Sequence, residues 1–235
     1  MNWKKVLRVV GGLLVVVLAL SGSVGAYVYT QINPEMATFA HDGMTREYLL
    51  YLPEQLPENA PLVFVLHGYK MRARDLYFYS GMNGIADREG FAVVYPQGSL
   101  DDQSATHWNA NLNVRPEGDE IDDVGFLTAL AADLQKRHGL DPERTFSAGL
   151  SNGGFMGYHL ALEVPEAFAA VASVVGTMSG DDWAQRDTAT PKPVLQISGT
   201  VDETVPIDGS MGPDRGWGGA PHMEEVMAFW AEANG

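Results

Sequence analysis

The sequence predicts an α/β fold in which helices cover both faces of a mostly parallel central sheet. Two runs, Leu62–Leu66 and Phe91–Tyr95, are apolar at every position, which is typical of strands buried on both faces. Segments with apolar residues at helical spacing alternate with such runs, and this alternation favours parallel strands joined by helices. With 235 residues, of which 46% are hydrophobic, the chain has enough apolar surface for one large domain.

The first 26 residues are predicted to lie outside this domain. Lys4, Lys5 and Arg8 precede an apolar run from Val9 to Leu20, and small residues follow it up to Ala26. This is the layout of a signal peptide, and an uncleaved N-terminal membrane anchor fits the same residues. Both alternatives predict an extracytoplasmic protein, secreted or periplasmic, that meets the membrane only through this segment.

Residues 27–235 form the predicted catalytic domain. Its first half contains a strand at Thr45–Leu52, the two apolar runs and one helix at Asp75–Glu89. Residues 97–120 are polar and rich in turn residues, so they are predicted to be a long functional loop. The second half continues the alternation with a helix at 122–137, a strand at Arg144–Ala148, a helix at Phe155–Glu163, strands at Phe168–Val175 and Val194–Ile197, and a helix at Met223–Ala233.

Composition excludes several classes of function. The formal net charge of −15 disfavours binding to nucleic acid and to anionic membranes. The absence of cysteine excludes disulfides and thiolate metal sites. Asp122 and Asp123 are interpreted as helix-capping residues, because no third ligand at a suitable spacing accompanies them. No glycine-rich phosphate motif occurs either, and no metal site is expected.

The segment Gly149–Gly154, with Ser151 in a G-x-S-x-G pattern, is the most informative motif. It lies between a predicted strand and a predicted helix, which is the setting of a nucleophile elbow. The tight turn requires small residues two positions before and after the serine, and glycine stands at both. The turn also leaves the Asn152 amide at a helix N-terminus, where negative charge is stabilised. Ser151 is therefore the predicted nucleophile, and the Asn152 amide a predicted oxyanion donor.

The acid and the second oxyanion donor are predicted from other strand ends. Asp202 follows the strand Val194–Ile197, with Glu203 and Asp208 as rival carboxylates and a turn-capping role as the alternative. His67-Gly68-Tyr69 follows another strand, and we expect the Tyr69 amide to be the second donor. His67 is interpreted as structural, because the order Ser, Asp, His assigns no base upstream of the serine.

The catalytic base is not evident. His222 is the one histidine after Asp202, but it stands before a helix rather than after a further strand, so it is not expected to be the base. The interpretation favoured here is that the last strand and the base are missing from the C-terminal end. Trp108, in the long loop, is a candidate substrate-binding wall, with simple loop packing as the alternative.

Six motifs together resemble the secreted polyhydroxybutyrate depolymerase and feruloyl esterase family of α/β-hydrolases. The resemblance covers about residues 37–235, and the pair Asp-Asp-Val-Gly-Phe with Gly-Leu-Ser-Asn-Gly-Gly is more specific than the elbow alone. The motifs are Thr45–Pro53, Leu66–Gly68, Ser80–Asn83, Ala86–Phe91, Asp122–Phe126 and Gly149–Gly154.

The resemblance implies a serine esterase of α/β-hydrolase fold without a cofactor. Its substrate would be an ester, either a polyester oligomer of hydroxyalkanoate units or a feruloyl or acetyl ester of plant polysaccharide. Its nucleophile falls on Ser151, its acid on Asp202 and its oxyanion amides on Tyr69 and Asn152. The family's histidine lies in a C-terminal Gly-His segment that this sequence lacks. The alternative is a non-catalytic surface or binding protein on the same fold.

Overall fold

The computed structural model describes residues 34–112, 121–211 and 218–235. The predicted leader, residues 1–26, lies outside these ranges. Residues 37–235 form one compact unit, which holds every helix and strand described below. Within the described ranges, no helix is long and apolar enough to cross a membrane.

A seven-stranded sheet forms the centre of residues 37–235, with a two-stranded ribbon of β5 and β6 beside it. The order across the sheet is β1-β2-β4-β3-β7-β8-β9. Strands β1 and β2 pair antiparallel, and the other five run parallel to one another. The strands are β1 (Ala37–His41), β2 (Met44–Tyr51), β3 (Leu62–Leu66), β4 (Ala92–Pro96), β5 (Ser99–Leu100), β6 (Thr106–His107), β7 (Thr145–Leu150), β8 (Ala170–Val174) and β9 (Val194–Ile197).

Helices pack on both faces at the centre of the sheet, which confirms the predicted fold class. On one face, Tyr77 of α1 packs against Tyr95 of β4, with ring centroids 5.3 Å apart. On the other face, Phe126 of α3 and Phe155 of α4 join Phe64 of β3 in the main core. The helices are α1 (Ala73–Tyr79), α2 (Met82–Glu89), α3 (Asp123–His138), α4 (Asn152–Glu163), α5 (Gly180–Ala184) and α6 (Met223–Asn234).

Near β9, helices cover only one face of the sheet among the described residues. Val171 of β8 is buried in a second apolar cluster with Tyr158 and Trp230. On β9, by contrast, Leu195 and Ile197 are 59% and 52% exposed. Two-sided burial, which parallel sheets normally show, is therefore complete at β4, interrupted at β3 only by the half-buried Val63, and lost, among the described residues, at β9.

Several elements differ from the sequence prediction. The predicted single helix over Asp75–Glu89 is two helices, because Gly81 has a φ of 70° and interrupts the helical path between α1 and α2. The edge strand β1 was not predicted. The long loop contains the ribbon of β5 and β6, and its residues 113–120 lie outside the described ranges. Because short strands lack a distinctive periodicity, sequence alone gives little indication of them.

The core predicts that two phenylalanines contribute very differently to the free energy of unfolding. Phe64 is fully buried and packs edge-on against Phe168 at 5.4 Å, whereas Phe78 is 51% exposed. We expect Phe64→Ala to lower the free energy of unfolding by about 4 kcal/mol, because it leaves a cavity. The matched control Phe78→Ala should cost less than about 1 kcal/mol. Chemical denaturation measures both values, and equal losses would contradict the packing described.

Candidate active site

The turn between β7 and α4 holds Ser151 in a strained conformation. Its φ of 51° and ψ of −117° lie in a region that non-glycine residues rarely adopt. Strand β7 ends at Leu150 and α4 begins at Asn152, so Ser151 alone forms the link. The Ser151 hydroxyl has no hydrogen-bond partner among the described residues. This is the geometry that the nucleophile elbow predicts.

Two glycines make the turn possible. A Cβ added to Gly149 would lie 1.9 Å from the carbonyl oxygen of Gly153. A Cβ added to Gly153 would lie 2.3 Å from the carbonyl oxygen of Leu66. Any side chain at either position would force apart β7, β3 and the first turn of α4, so the motif's small residues are a steric requirement.

The turn after β3 lies directly beside the elbow. Strands β3 and β7 are parallel neighbours, with Leu66 opposite Gly149, so both end at the same edge of the sheet. A Cβ added to Gly68 would lie 3.5 Å from the Cβ of Ser151. The structure thus brings the predicted oxyanion turn, His67-Gly68-Tyr69, within contact distance of Ser151.

His67 orients this turn. Its Nδ1 is 2.8 Å from the Gly68 carbonyl, so Nδ1 carries the proton and donates it, while Nε2 accepts from the Gly98 N–H at 2.9 Å. The Gly68 carbonyl and the Tyr69 N–H belong to one planar trans peptide and point in opposite directions. Fixing the carbonyl therefore also fixes the direction of the Tyr69 N–H.

Burial keeps His67 neutral. The side chain is fully enclosed, and desolvation lowers the pKa of His67 from 6.5 to about 4. The neutral ring retains the tautomer that both hydrogen bonds require. This environment agrees with the interpretation of His67 as structural, because a base at neutral pH needs a pKa much closer to 7.

The Asn152 side chain and Trp108 form a reciprocal pair. Asn152 is buried, its Oδ1 accepts from the Trp108 N–H at 2.6 Å, and its Nδ2 donates to the Trp108 carbonyl at 3.1 Å. The Trp108 indole N–H donates to the His67 carbonyl at 2.9 Å. The indole ring is 1% exposed, so protein encloses it. The predicted wall for a substrate is thus an internal anchor in this structure.

A buried ion pair bonds to the residue that follows Trp108, and the sequence analysis did not predict it. Arg46 of β2 donates to Asp123 at 2.6 Å, and the Asn109 N–H donates to the other oxygen of Asp123 at 2.8 Å. The Arg46 guanidinium also lies 4.0 Å from the centre of the Phe126 ring. Burial raises the pKa of Asp123, while Arg46 opposes that rise. Asp122 caps α3 by accepting from the Gly125 N–H, as predicted, but its neighbour Asp123 does not act as a cap.

Asp202 lies on the loop after β9. Its Oδ1 accepts from the N–H groups of Thr204 and Val205 at 2.8 and 2.9 Å, which orients the carboxylate within a tight turn. Strands β7, β8 and β9 are adjacent and parallel, so Ser151 and Asp202 follow carboxyl ends at the same edge of the sheet. With about 5 Å between neighbouring strands, the ends of β7 and β9 are about 10 Å apart.

The six histidines of the chain all fall within the described residues. His222 begins α6, where its Nδ1 accepts from the Glu224 N–H at 3.2 Å. His159 bonds to Asp182 at 3.0 Å, and His41 bonds to Asp122 at 3.0 Å. No hydrogen bond joins any described histidine to Ser151 or Asp202. The loops that carry the four predicted site residues, Ser151, Tyr69, Asn152 and Asp202, all follow carboxyl ends of parallel strands at the same edge of the sheet.

The comparison with protein families agrees with this geometry. Residues 46–218, most of the chain, match the family described as esterase PHB depolymerase. The chain belongs to this family. The family assignment confirms the resemblance inferred from the six motifs, and the matched range includes the elbow, the oxyanion turn and Asp202.

Two relatives and one solved structure illustrate the likeness. NocK of Nocardia uniformis subsp. tsuyamanensis is 38% identical over 170 residues, which are 71% of this chain and 48% of that protein. Poly(3-hydroxyalkanoate) depolymerase C of Paucimonas lemoignei is 31% identical over 164 residues, 68% of this chain and 37% of that protein. The chain thus spans half or less of the length of these relatives.

The acetyl xylan esterase from Aspergillus awamori has the same fold. Its structure superposes with a TM-score of 0.58 at 19% sequence identity, over 73% of this chain and 74% of that chain. At this identity the likeness concerns the fold alone. Together with the sheet order, it establishes the α/β-hydrolase fold that the resemblance implied.

The elbow predicts opposite effects for two glycines of α4 in this family member. We expect Gly153→Ala to lower the free energy of unfolding by about 3 kcal/mol, because the new methyl group overlaps the Leu66 carbonyl. At Gly157 the nearest atom to an added Cβ is 3.7 Å away, so Gly157→Ala should stabilise the protein by about 0.5–1 kcal/mol. Thermal and chemical denaturation measure both, and a harmless Gly153→Ala would contradict the tight elbow.

The environment of His67 predicts a pH-dependent stability. Between pH 6.5 and about 4 the unfolded chain binds a proton at His67 and the folded chain does not, so folding stability decreases as pH falls through this window. The contribution of this one group is about 3 kcal/mol. His67→Asn should be the less stable protein at pH 8, because Gly98 loses its acceptor, and that deficit should shrink by this amount at pH 4. Parallel pH profiles for the two proteins would show that His67 is not held neutral.

Proposed function

We propose that the protein is an exported serine carboxylic ester hydrolase that acts through an acyl-enzyme on Ser151. The observation that carries the proposal is the strained Ser151 turn, with the oxyanion turn beside it. Backbone strain of this kind persists where the surrounding structure enforces it, and here the close contacts of Gly149 and Gly153 do so. Family membership supports the same reaction class.

The proposed reaction has two steps. The Ser151 Oγ attacks the ester carbonyl, and its proton passes to a histidine that Asp202 orients. The Tyr69 and Asn152 N–H groups stabilise the negative oxygen, the alcohol leaves with the proton, and Ser151 is acylated. Water then attacks the acyl group by the same route, which releases the acid and restores the serine.

We propose that the base comes from outside the six histidines of this chain. None of them bonds to Ser151 or Asp202, and the two end about 10 Å apart across β8. A histidine on a loop beyond a further strand next to β9 would lie at the same edge of the sheet, since parallel strands share that edge. We therefore retain the interpretation that the catalytic domain includes a C-terminal part that residues 27–235 lack.

The proposed substrates are esters of two kinds. The name of the Paucimonas lemoignei relative indicates a poly(3-hydroxyalkanoate), and the family resemblance implies feruloyl or acetyl esters of plant polysaccharide. Both kinds are esters of polymers, which do not cross a membrane, so an enzyme exported by the signal peptide or anchor predicted at residues 1–26 could reach them outside the cell. The formal charge of −15 supports neither nucleic acid nor anionic lipid as a partner.

A non-catalytic binding protein on the same fold is the second candidate. The observation that favours it is the lack of a histidine bonded to Asp202 or Ser151 among the described residues. It predicts that the gene encodes no histidine on a loop beyond a further strand. Reading the coding sequence past codon 235 distinguishes the two candidates directly.

Active-site labelling of the protein from the complete gene tests the esterase. We expect a fluorophosphonate to label Ser151 and p-nitrophenyl butyrate to be hydrolysed, and Ser151→Ala to abolish both. Asp202→Asn should lower kcat about 10⁴-fold, because the histidine then takes the wrong tautomer. Asp208→Asn, on the same loop, should retain activity within about twofold, as a surface substitution does.

Two outcomes would refute the esterase proposal. One is a complete protein that neither reacts with the fluorophosphonate nor hydrolyses the ester. The other is activity that survives Ser151→Ala, which would place the reaction elsewhere. If Asp208→Asn rather than Asp202→Asn abolished turnover, the acid would be Asp208, which was the rival carboxylate from the sequence.

A further inference from the structure

The two proposed oxyanion donors lie on separate parts of the chain. The Tyr69 amide is in the turn after β3, whereas the Asn152 amide begins α4. An oxyanion hole works only if both donors keep a fixed position relative to the reacting oxygen. The structure contains one segment that bonds to both parts, residues 106–109, which we name the bridging segment.

The bridging segment holds the oxyanion turn by three hydrogen bonds. The Lys70 N–H donates to the Thr106 carbonyl at 2.8 Å, and the Thr106 hydroxyl donates to the Met71 carbonyl at 2.5 Å. The Trp108 indole N–H donates to the His67 carbonyl at 2.9 Å. Bonds therefore reach the turn on both sides of Gly68 and Tyr69.

The same segment holds the Asn152 side chain by two more hydrogen bonds. The N–H and the carbonyl of Trp108 pair with the amide group of Asn152 at 2.6 and 3.1 Å. This fixes the side chain of the residue whose main-chain amide is proposed as an oxyanion donor. Trp108 alone thus contacts both halves of the oxyanion hole, the indole on one side and the main chain on the other.

The bridging segment is also held by the buried ion pair of Arg46 and Asp123. The Asn109 N–H donates to Asp123 at 2.8 Å, and Asp123 is paired with Arg46 at 2.6 Å. The side chains of Arg46 and Asp123 are 5% and 0% exposed. A buried ion pair is weak support for stability, because desolvation offsets the attraction, but it can enforce one arrangement of the groups that bond to it. Here the ion pair holds the main chain at Asn109, next to Trp108.

We propose that Trp108 and the Arg46–Asp123 ion pair are positioning residues of the oxyanion hole, which they align through the bridging segment. This inference rests on the proposed function. None of these residues touches the reacting atoms; they act through the Tyr69 and Asn152 amides. The proposal replaces the substrate-wall role predicted for Trp108 and gives a purpose to the buried second aspartate of the Asp-Asp-Val-Gly-Phe motif.

Three variants test the proposal in the protein from the complete gene. Trp108→Phe keeps an aromatic ring but removes the indole donor, and Asp123→Asn keeps the shape but removes the charge. Lys192→Met is the matched control. The buried ammonium of Lys192 bonds to the carbonyls of Pro165 and Phe168, and Lys192 stands two residues before β9, at the amino ends of the parallel strands, whereas Ser151 follows a carboxyl end. We expect all three to lower the melting temperature, because each removes a buried hydrogen bond or charge, so loss of stability alone cannot separate them.

The kinetic readout separates alignment from stability. We expect Trp108→Phe and Asp123→Asn to lower kcat about tenfold with KM within twofold, because misplacing a donor costs less than the 10²–10³-fold of removing one. Lys192→Met should leave kcat within about twofold at a similar loss of melting temperature. The proposal is overturned if kcat falls only in step with the melting temperature across the three variants.

Hydrogen exchange provides a readout that does not depend on turnover. In Trp108→Phe and Asp123→Asn we expect the backbone amides of residues 67–71 and 150–154 to exchange about tenfold faster, with residues 158–163 unchanged. Lys192→Met should alter neither of the first two segments. Unchanged exchange in both segments would overturn the inference even in an inactive protein, whereas failure of fluorophosphonate labelling in the unaltered protein would count only against the esterase proposal.

Discussion

The close contact between the first turn of α4 and the ends of β7 and β3 is the constraint on which the site depends. It allows no side chain at Gly149 or Gly153, because the added atoms would lie about 2 Å from main-chain oxygens. The same contact forces Ser151 into a positive φ and sets its side chain beside Gly68. The strain at one residue is thus maintained by the packing of three elements, and the nucleophile's position follows from it.

The buried polar groups around this contact orient main-chain N–H and carbonyl groups. We expect this orientation to matter more for the site than their contribution to the free energy of folding. His67 is neutral, donates with one nitrogen and accepts with the other, and so orients a single peptide group. Asn152 is used as a side-chain anchor as well as a helix start. Such satisfied buried networks specify one arrangement of the main chain, which a site that depends on main-chain donors requires.

The parallel strand order also explains why the proposed functional residues lie on loops along one edge of the sheet. Strands β3, β7 and β9 each end in a loop that carries one proposed part of the reaction: an oxyanion donor, the nucleophile and the acid. Because these strands are parallel, their loops meet at one edge although they are distant in sequence. His67 lies at this edge but is neutral and bonds to Gly68 and Gly98, and no described histidine bonds to Ser151 or Asp202.

Sequence alone determined the alternation of strands and helices, the elbow and its glycines, and the strand-end positions of Ser151, Tyr69, Asn152 and Asp202. These follow from local rules, because hydrophobic periodicity and the sterics of a turn act over a few residues. Sequence did not reveal the break at Gly81, the burial of Trp108 or the pairing of Arg46 with Asp123. The last two depend on contacts between residues 77 positions apart for Arg46 and Asp123 and 41 apart for Trp108 and His67, and only the folded chain brings such groups together. The break at Gly81 is local, but a glycine adopts either sign of φ with similar ease, so the sequence does not show which one it takes.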